Sequence, residues 1–181
     1  NEESISKQED TSSKQVTIYR SNGNVVSMDL EEYLIGVVGA EMPASFQMEA
    51  LKAQAVVART YALKLLASGK KLTDTVSTQV YKDNNELKKL WGNSYSTYYQ
   101  KIKEAVTSTK GVSVYYQGNY INALYHSTSN GKTEDASMVW GNSVPYLKSV
   151  ESKWDVQASS YLREIKEDFM NVLNLLGISN D

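Results

Sequence analysis

The sequence predicts an α+β fold. A central alanine-rich helix and a second helix ending in a glutamate pack with short antiparallel strands, and an extra C-terminal helix follows. Three observations carry this. Met48, Leu51, Ala55, Ala58, Ala62 and Leu65 recur at helical spacing, with Gly69 as a stop. Leu30 to Glu41 is a mostly apolar run between a capping Asp29 and the helix-breaking Pro43. Runs of strand formers, Val16 to Arg20 and Val112 to Tyr116, end in turn sequences at Ser21-Asn22-Gly23-Asn24 and Gln117-Gly118-Asn119.

Taken in order, residues 1–15 hold a single apolar side chain, Ile5, and read as a flexible lead-in to a domain over 16–181. Val16 to Arg20 and Val25-Val26 form a short hairpin. In the first helix, Asp29 caps and Glu32 completes a box-like start. Gly36 and Gly39 inside that helix are costly, which suggests that another backbone packs close by. The second helix spans about Gln47 to Ala67. Lys70 to Asn93 reads as an irregular polar segment, and a third helix as Thr97 to Thr109. Val112 to Tyr116 and Tyr120 to Tyr125 read as two strands. The loop His126 to Gly131 leads to a segment at Val144 to Val150. Leu162, Ile165, Phe169, Val172 and Leu176 then space out an amphipathic helix over Ser160 to Leu176.

Composition excludes several functions. Nineteen Lys+Arg against 21 Asp+Glu give a net charge of -2, which offers no basic face for nucleic acid. The longest nearly apolar run, Tyr33 to Ala40, is far shorter than the roughly 20 residues a membrane helix needs. With no cysteine and one histidine, thiol chemistry is excluded, and neither a metal site nor a cofactor is expected.

Glu41 stands out first. It closes an apolar helix among Val37, Val38, Met42 and Phe46, where desolvation and the helix's negative end would favour a protonated carboxyl. A protonated carboxyl is what a general acid requires; the bland reading is an ordinary carboxylate at a helix end. His126, with a serine and Asp135, could serve as a general base, or it could simply shape a polar loop. Arg59 needs a partner inside an alanine-rich helix, so an ion pair competes with a substrate clamp. Gln54 on the same helix could face a cleft or simply pack. Thirteen tyrosines could stack on sugars, or could reflect strand preference at Tyr115, Tyr116, Tyr120 and Tyr125.

Glu31-Glu32-Tyr33-Leu34, then Val37-Val38-Gly39-Ala40-Glu41-Met42-Pro43, then Glu49 to Ala62 (EALKAQAVVARTYA) resemble the signature of the stage II sporulation protein D (SpoIID/LytB) family. Tyr125-His126-Ser127-Thr128-Ser129-Asn130-Gly131-Lys132-Thr133-Glu134, Val139-Trp140-Gly141 and Val144-Pro145-Tyr146-Leu147 resemble the same family. The likeness runs over about Val16 to Asp155.

The resemblance implies a peptidoglycan lytic transglycosylase that acts in sporulation, during engulfment, on glycan strands stripped of stem peptides by an amidase. It makes Glu41 the catalytic acid and the first helix the catalytic helix. Arg59, Gln79, Tyr81, His126, Ser127 and Ser129 are the expected substrate-binding residues. The Gln79-Val80-Tyr81 segment and the His126–Ser129 loop lie at the ends of regular elements, where rigid scaffolds hold binding groups. Some members carry a His and Cys zinc site before the Gln-x-Tyr motif. Lys70 to Tyr81 has neither residue type, so no zinc is expected. The family's further strands and glycine-rich Gly-His-Gly motif are expected to lie outside these 181 residues. The implied location is extracytoplasmic, with membrane attachment only through an anchor upstream of Asn1. The implied partners are glycan strands and a cell-wall amidase. The alternative is a non-catalytic glycan-binding module that modifies the amidase.

Overall fold

A computed structural model describes residues 5–8, 14–158, 161–162 and 166–177. They fall into two compact units, one ending at Tyr125 and the other beginning at His126, where the sequence reads as one domain over 16–181. The architecture is α+β.

In the first unit, β2 (Gln15–Tyr19) and β3 (Val25–Asp29) form the expected hairpin, with Val16 opposite Met28 and Ile18 opposite Val26. A two-residue strand, β4 (Leu72–Thr73), pairs in parallel with β2, giving the order β3-β2-β4. The second sheet has the order β1 (Ile5–Gln8), β5 (Val112–Tyr116), β6 (Asn119–Tyr120). Here β5 (Val112–Tyr116) and β6 (Asn119–Tyr120) meet through Gln117 and Gly118, both at positive φ (48° and 75°), as a tight antiparallel turn requires. Strand β6 stops at Tyr120, so the strand expected to Tyr125 is cut short. The lead-in reading fails at β1 (Ile5–Gln8), whose backbone pairs with β5; backbone pairing to a sheet edge does not require an apolar sequence. The rest of that stretch, 1–4 and 9–13, lies outside the described residues.

Helix α1 (Leu30–Glu41) starts where Asp29 accepts the N–H groups of Glu31 and Glu32. It stops at Met42, whose extended backbone is what Pro43 demands. Helix α2 (Met48–Ala67) follows. Its expected stripe is real: Leu51, Ala55, Ala58 and Ala62 are fully buried, against Leu30, Tyr33, Leu34, Val37 and Val38 of α1 in one core. The polar segment after α2 is not wholly irregular. It contains α3 (Asn84–Trp91), opened by a capping box between Asp83 and Glu86. Helix α4 (Tyr95–Ser108) closes the core with Ile102, Ala105 and Val106. Arg20, at the end of β2, pairs with Asp74 at 2.7 Å and Glu86 at 2.7 Å, and so ties the start of α3 to the first sheet.

Gly36 has the predicted use, a close backbone, whereas at Gly39 the close neighbour is a side chain. A Cβ on Gly36 would lie 2.6 Å from the Lys82 carbonyl oxygen and inside the Tyr81 ring, and one on Gly39 would lie 2.9 Å from the Trp91 ring. Gly36→Ala is therefore expected to lower stability by about 1–3 kcal/mol, the usual cost of overpacking. Urea unfolding checks this. An unchanged midpoint would mean that residues 81–82 do not rest on α1.

In the second unit, Thr133 donates its N–H to Val150 and Ser152 donates to Gly131, around an antiparallel bridge between Lys132 and Glu151. A short helix, α5 (Ala136–Trp140), is capped by Asp135 and ended by Gly141 at φ 76°. Ser137 and Lys148 hold the Asp135 carboxyl down to about 2. The amphipathic helix expected over Ser160 to Leu176 is reduced to α6 (Phe169–Leu175). Residues 161–162 and 166–168 are not helical, and 160 and 163–165 lie outside the described residues. Phe169, Leu175 and Leu176 stand exposed, so little packing rewards a longer helix. Among the described residues no helix is long and apolar enough to cross a membrane.

Candidate functional site

Glu41 sits half-buried in the last turn of α1. The backbone N–H of Val80 donates to its Oε1 at 2.7 Å, and the Tyr125 hydroxyl lies close enough for the Glu41 charge to act on it. Both groups are distant in sequence, so the carboxyl is oriented by tertiary structure. Burial, and then the Glu41 charge, push the Tyr125 phenol far above its ordinary range, so this hydroxyl stays protonated as a donor. Burial does the same to Tyr33, which also faces Glu41 and Tyr61.

Behind this pair lies Gln79, buried, which donates to the Ala58 carbonyl at 3.3 Å and to the Tyr33 hydroxyl at 3.4 Å. Its Oε1 accepts from the Tyr125 hydroxyl at 3.3 Å. Gln79 therefore aligns the residues around Glu41 instead of facing a ligand.

Two clefts open beside the carboxylate. One, of about 310 Å³, is lined by Glu41, Tyr61, Val76, Thr78, Leu124 and Tyr125. The other, of about 440 Å³, is lined by Glu41, Met42, Pro43, Leu90, Trp91 and Tyr98 among others. Among the described residues lining these two clefts, Glu41 is the one carboxylate.

The other expected site residues separate into three groups. Tyr81 is stacked on Tyr33 (centroids 5.5 Å apart), with the Arg20 guanidinium 5.0 Å from its ring and its hydroxyl turned to Met28. It lines a different cleft with Arg20, Met28 and Glu32, and burial pushes its phenol up to about 12. Tyr81→Phe is accordingly expected to change kcat/KM by less than about twofold, since the lost hydroxyl bonds only a weak thioether acceptor. A steady-state assay that showed a tenfold loss would return Tyr81 to the site.

Arg59 is corrected outright as a substrate-binding residue. It is fully buried and forks onto Glu31 at 2.9 and 2.6 Å. It also donates to the carbonyls of Val106 and Val112. The ion-pair reading of this residue holds, and no part of the side chain reaches solvent.

His126, Ser127 and Ser129 belong to the second unit. His126 and Ser127 are exposed, whereas Ser129 is engaged: its N–H and hydroxyl donate to Asp155 at 2.7 and 2.6 Å. Those bonds, with His126 nearby, hold the Asp155 carboxyl below its usual range. Ser129 thus shapes the loop. Among the described residues, no group of three or more His, Cys, Asp or Glu side chains is placed to hold a metal ion.

The residues that sequence reasoning missed are Tyr61, the Val80 N–H and the donor role of Tyr125. The aromatic richness was visible, but its convergence on one carboxylate was not.

Comparison with known proteins gives this site a context. The chain is similar to stage II sporulation protein D of Bacillus subtilis (48% identical over 155 residues, 81% of this chain) and of Bacillus amyloliquefaciens (46% identical over 156 residues). It spans 45% of the length of each. It is also similar to an amidase enhancer of Bacillus subtilis, 40% identical over 124 residues, which cover 68% of this chain and 16% of that protein. The SpoIID family, described as stage II sporulation protein, matches residues 19–116, over half of the chain and the whole frame that carries Glu41, Gln79 and Val80. With that match and those relatives, the chain belongs to the SpoIID family of sporulation proteins.

Proposed function

We propose that the protein is a peptidoglycan lytic transglycosylase that works in sporulation, outside the cytoplasmic membrane, on glycan strands stripped of their peptides. The observation that carries this is Glu41, oriented by the Val80 N–H at the junction of two clefts and the one carboxylate among the described residues lining them. Hydrolytic glycosidases use a pair of carboxylates, one to protonate the leaving oxygen and one to activate water or attack. A single carboxyl suffices when the substrate supplies the nucleophile.

Glu41 would give its proton to the glycosidic oxygen as the bond from that oxygen to C1 of N-acetylmuramic acid breaks. The resulting carboxylate would take the proton of the sugar's own C6 hydroxyl, and O6 would close onto C1. The proton returns to Glu41, no water is consumed, and a 1,6-anhydro end is left. The Val80 N–H keeps the carboxyl aimed through both proton transfers.

The test is mass analysis of sugars released from peptide-free glycan strands. The expected product is lighter by one water than an ordinary reducing end, and a reducing end would overturn the mechanism. The similarity to an amidase enhancer favours a second reading, a glycan-binding module that modifies a partner amidase. That reading expects no released sugar, and a faster amidase when the two proteins are mixed.

A further inference from the structure

The loop that begins the second unit carries a reactive pair that the glycan-cleaving reading leaves unused. Asparagine is a thermolabile residue, most of all before glycine, because a nitrogen with no Cβ beside it can close on the side-chain carbonyl carbon without a clash. Asparagine precedes glycine twice in the chain, at Asn22-Gly23 and at Asn130-Gly131. In a folded chain the reaction needs both the glycine N–H and the asparagine side chain to be unengaged.

The fold treats the two pairs differently. In the hairpin of β2 and β3, the Gly23 N–H donates to the Arg20 carbonyl at 3.0 Å, and the Asn22 side-chain oxygen accepts from the Asn24 N–H at 3.0 Å. Both reacting groups are held by the turn. Asn130 is exposed, and among the described residues neither its side chain nor the Gly131 N–H has a hydrogen-bond partner. A Cβ on Gly131 would meet nothing within 4 Å, so there is room for a ring. The residues on either side are tied down. Ser129 gives its N–H and hydroxyl to Asp155 at 2.7 and 2.6 Å, and the Gly131 carbonyl accepts the Ser152 N–H at 2.8 Å.

We propose that Asn130 is a site of spontaneous modification, deamidating through a cyclic imide to aspartate and isoaspartate, and that this change releases the loop from residues 152–155. The Gly131 nitrogen gives its proton to solvent and bonds to the side-chain carbonyl carbon of Asn130. The bond from that carbon to the amide nitrogen breaks, and ammonia leaves with a proton taken from water. A water molecule then opens the imide. Opening at the side-chain carbonyl gives aspartate, and opening at the main-chain carbonyl gives isoaspartate. The net change is one water consumed and one ammonia released, with no oxidation or reduction. Either product puts a new carboxylate next to Ser129, which already holds the Asp155 carboxylate. Isoaspartate also lengthens the main chain by one carbon–carbon bond, about 1.5 Å, which is enough to break tethers that fail beyond about 3.5 Å. The proposal stands whether or not the protein cuts glycan.

The test is peptide mapping by mass spectrometry of the whole chain after incubation at mildly alkaline pH, with fragment spectra assigning the site. Product at Asn130 is expected to accumulate at least about fivefold faster than at Asn22, the factor that one net backbone hydrogen bond is worth. In the urea-unfolded chain the two rates are expected to agree within about twofold, because the hairpin no longer protects Gly23. Aspartate and isoaspartate peptides should both appear. Hydrogen exchange then follows the amides of Ser129 and Ser152, expected to exchange at least about fivefold faster in the incubated protein than in fresh protein. The same incubation of Asn130→Ser should leave them unchanged. Asn22 converting as fast as Asn130 in the folded protein, or aspartate without isoaspartate at position 130, overturns the proposed route. Converted protein whose Ser129 and Ser152 amides exchange as in fresh protein overturns the release of the loop.

Discussion

Glu41→Gln is expected to lower glycan cleavage by about 10²–10⁴-fold, the usual contribution of general acid–base catalysis, with little change in melting temperature. The amide keeps the shape of the side chain, and its oxygen can still accept the Val80 N–H that now reaches Oε1 at 2.7 Å. What it lacks is the proton for the leaving oxygen and, afterwards, the basic site for the C6 hydroxyl. In the proposed mechanism both roles fall on one group, and among the described residues lining the two clefts no second carboxylate can take over. Binding of peptide-free glycan strands should persist within about threefold, since the amide keeps the shape of the side chain. Initial rates on peptide-free strands and a thermal melt of the same preparation check this. A variant that keeps more than a tenth of the wild-type rate would remove Glu41 from the acid role.

How far the sequence reaches depends on the range of the interaction that decides each feature. Helices α1 and α2 were legible because local signals agree: a cap at Asp29, a proline at 43, and a stripe whose central members Leu51, Ala55, Ala58 and Ala62 all bury. Gly36 and Gly39 announced close packing, though not that Lys82 and Trp91 supply it. Helix α3 was hidden in a polar stretch because it buries only Leu87, yet the Asp83-Asn84-Asn85-Glu86 sequence carried its capping box in plain view. In the C-terminal stretch periodicity misled: the apolar spacing was there, but Phe169 and Leu175 find little to pack on.

At the site, Glu41 could be singled out from its place at a helix end. Its partners could not, because Val80 lies 39 residues away. The Gln79-Val80-Tyr81 segment shows the same limit at a finer scale. The segment reaches Glu41 through the backbone N–H between the two named side chains. Gln79 turns into the core, and Tyr81 turns toward Met28.

Arg59 marks where a buried charge decides stability. Removing it by Arg59→Met is expected to destabilise the protein by about 3–5 kcal/mol, because the buried Glu31 carboxylate would lose the guanidinium that forks onto it. The loss extends beyond one pair. The guanidinium also accepts the role of donor to the carbonyls of Val106, in the last turn of α4, and Val112, at the start of β5. It thereby joins three elements around the core that supports α1. Arg59→Lys should recover little, since a single ammonium cannot reproduce the fork at 2.9 and 2.6 Å together with the two carbonyl bonds. The double variant Arg59→Met/Glu31→Met should be more stable than Arg59→Met alone, because it removes the stranded charge along with its partner. Urea unfolding of the three variants checks the order. If Arg59→Met unfolds within about 1 kcal/mol of wild type yet loses cleavage, the buried-pair account is wrong and a route from Arg59 to the substrate must exist.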